Sequence, residues 1–199
     1  MPQPDHISKL GVPNRSELDE DLQQVFSKCV DKLGFVPNVL AAYSLRPQRL
    51  RNFMTFYNEI MLSPSGLSRL EREMVAVVVS SANRCYYCLV AHGAAVRQLS
   101  GDPELGEMLA LNYRVAQLDP RQRLMLDFAW KLTTTPHLVD DADRDALSQQ
   151  GLSPEDIFDL AETAAFFNLS NRMASATDMI PNREYHGTTR ADAGRSTRE

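Results

Sequence analysis

Between Glu73 and His92 the chain carries two thiols, an imidazole and a carboxylate at helical spacings, in the segment EREMVAVVVSSANRCYYCLVAHG. Cys85 and Cys88 form a Cys-x-x-Cys pair, with His92 four residues beyond the second cysteine. Residues three or four apart share a helix face, so two sulfurs at this spacing near a helix start can close a disulfide. A free thiol titrates at about 8.5, a helix N-terminus or a neighbouring base lowers that value, and the thiolate is the reactive form. His92 lies one turn from Cys88 and two turns from Cys85, which makes Cys88 the activated nucleophile and Cys85 the resolving thiol. Glu73 has no capping task, because Glu71 fills that role. Antiparallel packing of its helix on the cysteine helix brings Glu73 towards the sulfurs, as a carboxylate that relays a proton directly or through a water. Tyr87, between the cysteines, is a candidate to offer a hydroxyl to substrate or thiolate.

Three functional readings follow from these residues. The first is a peroxidase or disulfide reductase working through Cys88 and Cys85 with Glu73 and His92 as proton relay. The second is a non-enzymatic redox sensor or partner-binding oligomer, switched by a Cys85–Cys88 disulfide. The third is a zinc site made by Cys85, Cys88 and His92, with Glu73 or water as fourth ligand. It is disfavoured because three ligands on one short helical stretch rarely converge tetrahedrally. No metal or cofactor is therefore expected. Cys29 fits the apolar stripe of its own helix and reads as a bystander. His6, His137 and His186 fall in loop-like or terminal segments without a partner pattern.

The elements that must position these groups read as helices throughout. Ser16 reads as an N-cap, and Leu18, Leu22, Val25, Phe26, Cys29 and Leu33 follow at helical spacing up to Gly34. A short helix ends before Pro47, and Leu50 to Met61 mark the stripe of the next. Ser68 and Glu71 form a capping box, which assigns the β-branched run Val75–Val79 to a helix, although β-branching alone would allow a buried strand. Further helices are expected from Cys85 to about Leu99, from Asp102-Pro103, from Asp119-Pro120 through Trp130, over 140–149, and from Ser153-Pro154 to about Thr177. Gly66-Leu67-Ser68 with a helix to Asn83 also lays without gaps over Gly151-Leu152-Ser153 with a helix to Asn168. This is the pattern of two pseudo-repeated helical halves with chemistry in one. Residues 1–15 read as an N-terminal arm, 16–180 as one helical domain and 181–199 as a mobile tail.

A length of 199 residues, 43% hydrophobic and 24% charged, describes an ordinary folded chain with room for a real core. A net charge of −5 argues against a phosphate-backbone partner. The longest apolar run, Met74–Val79, is too short for a membrane span. The start MPQPDHISKL lacks the basic and apolar regions of a signal peptide. Three cysteines make no disulfide framework, and a cytoplasmic location is expected.

Glu73, eleven residues, Cys85-x-x-Cys88, three residues and His92 together resemble the alkylhydroperoxidase D-like proteins of the carboxymuconolactone decarboxylase superfamily. The segments GFVPNVLAAYSLRP, SGLSRLEREMVAVVVSSANRCYYCLVAHGAA, LDFAWKLTTTP and AAFFNLSNRMA extend the resemblance from about Leu33 to about Ala174, to the branch called peroxidase-related enzymes. The family core is expected over about 47–135. The resemblance implies an all-α fold and an antioxidant oxidoreductase. Cys88 would attack the peroxide to give a sulfenic acid, Cys85 would resolve it into a disulfide, and an external dithiol such as a lipoyl group would reduce it. It also implies a homo-oligomer, trimeric or hexameric. Tyr87 stands where the best-known peroxidase members have a histidine, a departure that weakens proton transfer to Cys88.

Overall fold

The β-branched run Val75–Val79 lies inside a helix, as its capping box requires. The computed structural model describes residues 3–188. Among them are nine α-helices and no strand: α1 Glu20–Leu33, α2 Asn38–Tyr43, α3 Pro47–Leu62, α4 Arg69–Ala82, α5 Tyr86–Ser100, α6 Leu105–Asn112, α7 Pro120–Thr134, α8 Asp141–Gln149 and α9 Pro154–Ala176. The all-α expectation holds.

α4 is the central helix. It packs against α5, α6, α7 and α9, and every residue from Glu71 to Ser80 is buried. A helix covered on all sides belongs to the core. Each fully buried valine along it contributes roughly 1.5–3 kcal/mol. Ser68 Oγ accepts the Glu71 N–H and Glu71 Oε2 accepts the Ser68 N–H, so the entry angle of the helix is set by its own first turn.

α9 lies beside α4 and parallel to it. At their N-terminal ends Gly66 meets Asp156 so closely that a Cβ would fall on the carboxylate, which restricts this position to glycine. Arg121 ties Gly66 O and Glu71 Oε1 together at the same end. At the far end Asn83 Nδ2 donates to Asn168 Oδ1 at 3.0 Å. Asn83 and Asn168 are matching positions of the sequence overlay. The two halves then diverge, because α9 runs through Asn168 to Ala176 without the break that ends α4.

That break is the turn that builds the site. Arg84 takes the left-handed conformation at φ 53°, while its N–H bonds Ser81 O and the Cys85 N–H bonds Ser80 O. This is a Schellman closure with arginine in the place glycine usually takes, at a cost of roughly 1–2 kcal/mol for a side chain in that region. It reverses the chain within two residues and leaves Cys85 as the N-cap of α5.

Two boundaries differ from expectation. Ser16 is not the cap of the first helix. Arg15–Glu17 form a single tight turn closed by Asn14 and Glu17, extended backbone at buried Leu18 interrupts the helix, and α1 starts after Asp19. Residues 183–186 form a helical turn where a tail was expected, because the buried Arg97 guanidinium donates to Tyr185 O and Thr188 O. The rest of that tail, 189–199, lies outside the described residues. The arm runs along the segment after α9, through Lys9 N–H to Thr177 O, Ile180 N–H to Ile7 O and Gln3 Nε2 to Pro181 O.

Candidate functional site

α4 and α5 run antiparallel from the Arg84 turn, and this brings Glu73 opposite His92. His92 Nδ1 and Glu73 Oε2 are 2.6 Å apart. The carboxylate side chain is only 4% exposed, so it faces the imidazole rather than solvent. Phe167 of α9 holds the His92 ring edge-on at 4.6 Å between centroids. With the carboxylate accepting the Nδ1 proton, Nε2 is free to exchange a proton. Glu73 thus acts on the imidazole, and its bond to His92 is its contact with the site. Its charge, second to burial, also raises the neighbouring phenol of Tyr57.

Both cysteines of the pair are free thiols and both are buried. The fold shifts the two thiols in opposite directions. The Cys88 hydrogen bond is the main cause that brings the Cys85 thiol down to about 7, against the opposing effect of burial. The Cys88 backbone N–H, the His92 charge and the Ser175 hydroxyl add to the lowering. The Cys88 thiol is pushed well above the ordinary value, first by the hydrogen bond it donates to Cys85 and then by burial, with Asn171 and Ser170 opposing. Sequence spacing favours Cys88 as the activated sulfur. Cys85 stands at the N-cap of α5, where the helix N-terminus favours a thiolate. Alkylation by iodoacetamide is therefore expected to label Cys85 first, with a rate that rises through a midpoint near pH 7. Below the midpoint the sulfur is protonated and inert, and above it the rate is flat. Cys88→Ala removes the largest stabilising contact and is expected to move the midpoint up, towards the usual thiol value of about 8.5. First labelling at Cys88 would reverse the assignment.

Tyr87 is buried, and its hydroxyl accepts the Val39 N–H of α2 at 2.9 Å. Burial raises its phenol well above the usual value. Its oxygen fastens the cysteine helix to α2. Its neighbour Tyr86 is exposed and reaches Gln3 of the arm. Among the described residues, no three histidine, cysteine or acidic side chains are placed to hold one metal ion. His6 pairs with Asp178 at 2.9 Å, and Cys29 lies half-buried on α1.

Several site residues come from distant segments and escape the sequence spacing. Ser170 Oγ of α9 lies 4.0 Å from Cys88 Sγ. Asn171 is held by Ser80 and Asn83, which fixes its amide beside the same sulfur. Met179 and Ala174 share a buried cluster with the thiol pair, and Tyr43 packs against that cluster. The one sequence signal for α9 is the buried polar pair Ser170-Asn171 inside the apolar run AAFFNLSNRMA, and in the overlay Ser170 falls on Cys85.

The carboxymuconolactone decarboxylase family profile matches residues 47–129. A peroxidase-related protein from Silicibacter sp. TM1040 is 55% identical, covers 96% of this chain and all of its own, and superposes with a TM-score of 0.92. A protein from Ralstonia eutropha JMP134 described as an alkylhydroperoxidase AhpD core is 43% identical over 94% of this chain and 98% of its own, with a TM-score of 0.91. The debrominase Bmp8 shares the fold at 20% identity, over 94% of this chain and 97% of its own, with a TM-score of 0.75. A search of functionally curated proteins gave no match.

Proposed function

Because the chain belongs to the alkylhydroperoxidase D-like, peroxidase-related proteins of the carboxymuconolactone decarboxylase family, we propose that it is a thiol-dependent peroxidase and disulfide reductase. Membership supports an antioxidant oxidoreductase, and the reading beyond that rests on one observation. A buried carboxylate grips an imidazole at 2.6 Å, and that imidazole sits on the helix that carries two free thiols at its start.

The chemistry balances with the groups at hand. The Cys85 thiolate attacks the terminal oxygen of a hydroperoxide, the O–O bond breaks, and Cys85 becomes a sulfenic acid while the leaving oxygen departs as an alkoxide. The Cys88 thiol gives that alkoxide its proton, which releases an alcohol and leaves Cys88 as a thiolate. Cys88 then attacks the sulfenic sulfur to form the Cys85–Cys88 disulfide, and the displaced hydroxide takes a proton from His92 to leave as water. An external dithiol, lipoyl-type in this reading, reduces the disulfide by exchange and is itself oxidised to a disulfide. Glu73 keeps the Nδ1 proton in place and steadies the imidazolium. Tyr87 serves as a fastening rather than a proton carrier, and Cys88 takes over the donor role. A homo-oligomer acting in the cytoplasm fits this reading.

The test is intact-mass measurement of the reduced protein after one equivalent of hydroperoxide. The expected product has lost two hydrogens, with the new bond mapped to Cys85 and Cys88, and a dithiol restores the starting mass. Protein that stays reduced under excess hydroperoxide would end this proposal.

A second reading has an observation of its own. Tyr86 and Tyr87, between the sulfurs, are bonded to the arm through Gln3 and to α2 through Val39, so closing the disulfide pulls on both. In a redox sensor this shift changes assembly on a sizing column, without multiple turnovers of any hydroperoxide.

A further inference from the structure

A cavity of about 580 Å³ lies between α2, α3, α9 and the arm. Its size is that of a small-molecule site. Its wall is apolar and aromatic, with Tyr43, Phe53, Phe56, Phe166 and Met179 among its lining. Phe56 lines it, while Tyr57 and Phe167 pack into the core. Met179 also belongs to the buried cluster that holds Cys85 and Cys88, and Tyr43 packs against that cluster. The cavity and the thiol cluster therefore have Tyr43 and Met179 in common.

The charge at the cavity has one sign. Arg46 and Arg49 line it, and no acidic residue does. Both arginines are exposed, and neither guanidinium has an ion-pair or hydrogen-bond partner among the described residues. Arg51, two residues on, is by contrast held by Asp19 and Asp21. Two unpaired guanidinium groups at an apolar cavity complement a carboxylate attached to an apolar body. Tyr43 adds a hydroxyl that makes no hydrogen bond among the described residues. Burial first and the Cys88 sulfur second raise its phenol, which keeps it a donor at neutral pH.

We infer that this cavity is the entrance to the thiol pair and takes an organic hydroperoxide that carries a carboxylate, its apolar body among the rings and its carboxylate against Arg46 and Arg49. The inference rests on the thiol-peroxidase reading and names the substrate class for the same site. The bound hydroperoxide loses its terminal oxygen to Cys85, and Tyr43 hydrogen-bonds the oxygen left on the apolar body, which leaves as the alcohol of the same acid.

Two measurements test it. In the first, the reduced protein is oxidised in a stopped-flow instrument by linoleic acid hydroperoxide and by its methyl ester. The acid is expected to react about tenfold faster, the size two partly exposed ion pairs allow, and Arg46→Ala with Arg49→Ala brings the ratio to about one. Arg144→Ala, on α8, removes the same kind of charge elsewhere and keeps the wild-type ratio. Equal rates for acid and ester in the wild type overturn the inference. The second measurement needs no chemistry: binding of cis-parinaric acid, read by its fluorescence, is expected to weaken about tenfold in the double arginine variant. Parinarate binding without oxidation by any hydroperoxide keeps the site and overturns the peroxidase reading. Oxidation with no acid preference and no parinarate binding does the reverse. A double variant that changes subunit number while the acid-to-ester ratio stays high makes the arginines an interface between copies and overturns the inference.

Discussion

Cys85→Ser and Cys88→Ser are each expected to lower hydroperoxide-dependent oxidation of a dithiol by at least about a thousandfold, since groups that act as one unit fail together when either is lost. Cys29→Ser is expected to leave the rate intact, because Cys29 sits on α1, outside the sulfur cluster. The two damaged variants are expected to fail differently. Cys88→Ser keeps the sulfur that ionises near pH 7, so it accumulates a sulfenic acid on Cys85, trapped by dimedone and seen as a fixed mass increase. Cys85→Ser removes the sulfur at the helix N-cap and leaves Cys88, which burial still raises, so dimedone adds more slowly. The opposite labelling pattern, with adduct on Cys88 alone, would move the attacking role there. Retention of full turnover in either variant would remove the dithiol mechanism.

Glu73→Gln and His92→Ala are expected to lower the rate of disulfide formation by about 10²–10⁴, the range of general acid–base catalysis. The glutamine variant is the more telling of the two. It keeps the volume and an oxygen to accept the Nδ1 proton at the 2.6 Å contact, but lacks the charge that steadies an imidazolium. Its loss should therefore fall on kcat rather than KM, and the pH profile of the reaction should change shape while the far-ultraviolet dichroism and Tm stay near wild type. A merely structural Glu73 gives the other pattern: a lowered Tm with an unchanged pH profile. His92→Ala is also expected to raise the alkylation midpoint of Cys85, because the His92 charge is one of the causes that lower it.

Much of the frame was legible from local signals. Ser68 with Glu71, Asp119 before Pro120, and Ser153 with Asp156 each cap the helix that follows, since capping is decided within four residues. The thiol, imidazole and acid spacing was legible for the same reason: two adjacent helices and one tight turn carry all four groups. The placement of charge between the sulfurs was not. It depends on Arg84 holding a left-handed turn, so that Cys85 becomes an N-cap, and an arginine carries no sign of that conformation. Ser170, Asn171, Tyr43 and Met179 arrive from segments with no periodic relation to the cysteines, so only tertiary packing reveals them. Ser16 and Asp19 are both plausible caps by residue type. Burial of Leu18, a long-range effect, decides between them.

Met179 shares the buried cluster of the thiol pair, and the stretch that carries it is stitched to residues 3–9. One side of the cluster around the reactive pair is thus made where residues 3–9 run beside 177–181. Ends fray before bundles melt. Encounter with oxidant or reductant can therefore be governed by the least cooperative part of the molecule, while the central helix and its neighbours stay rigid.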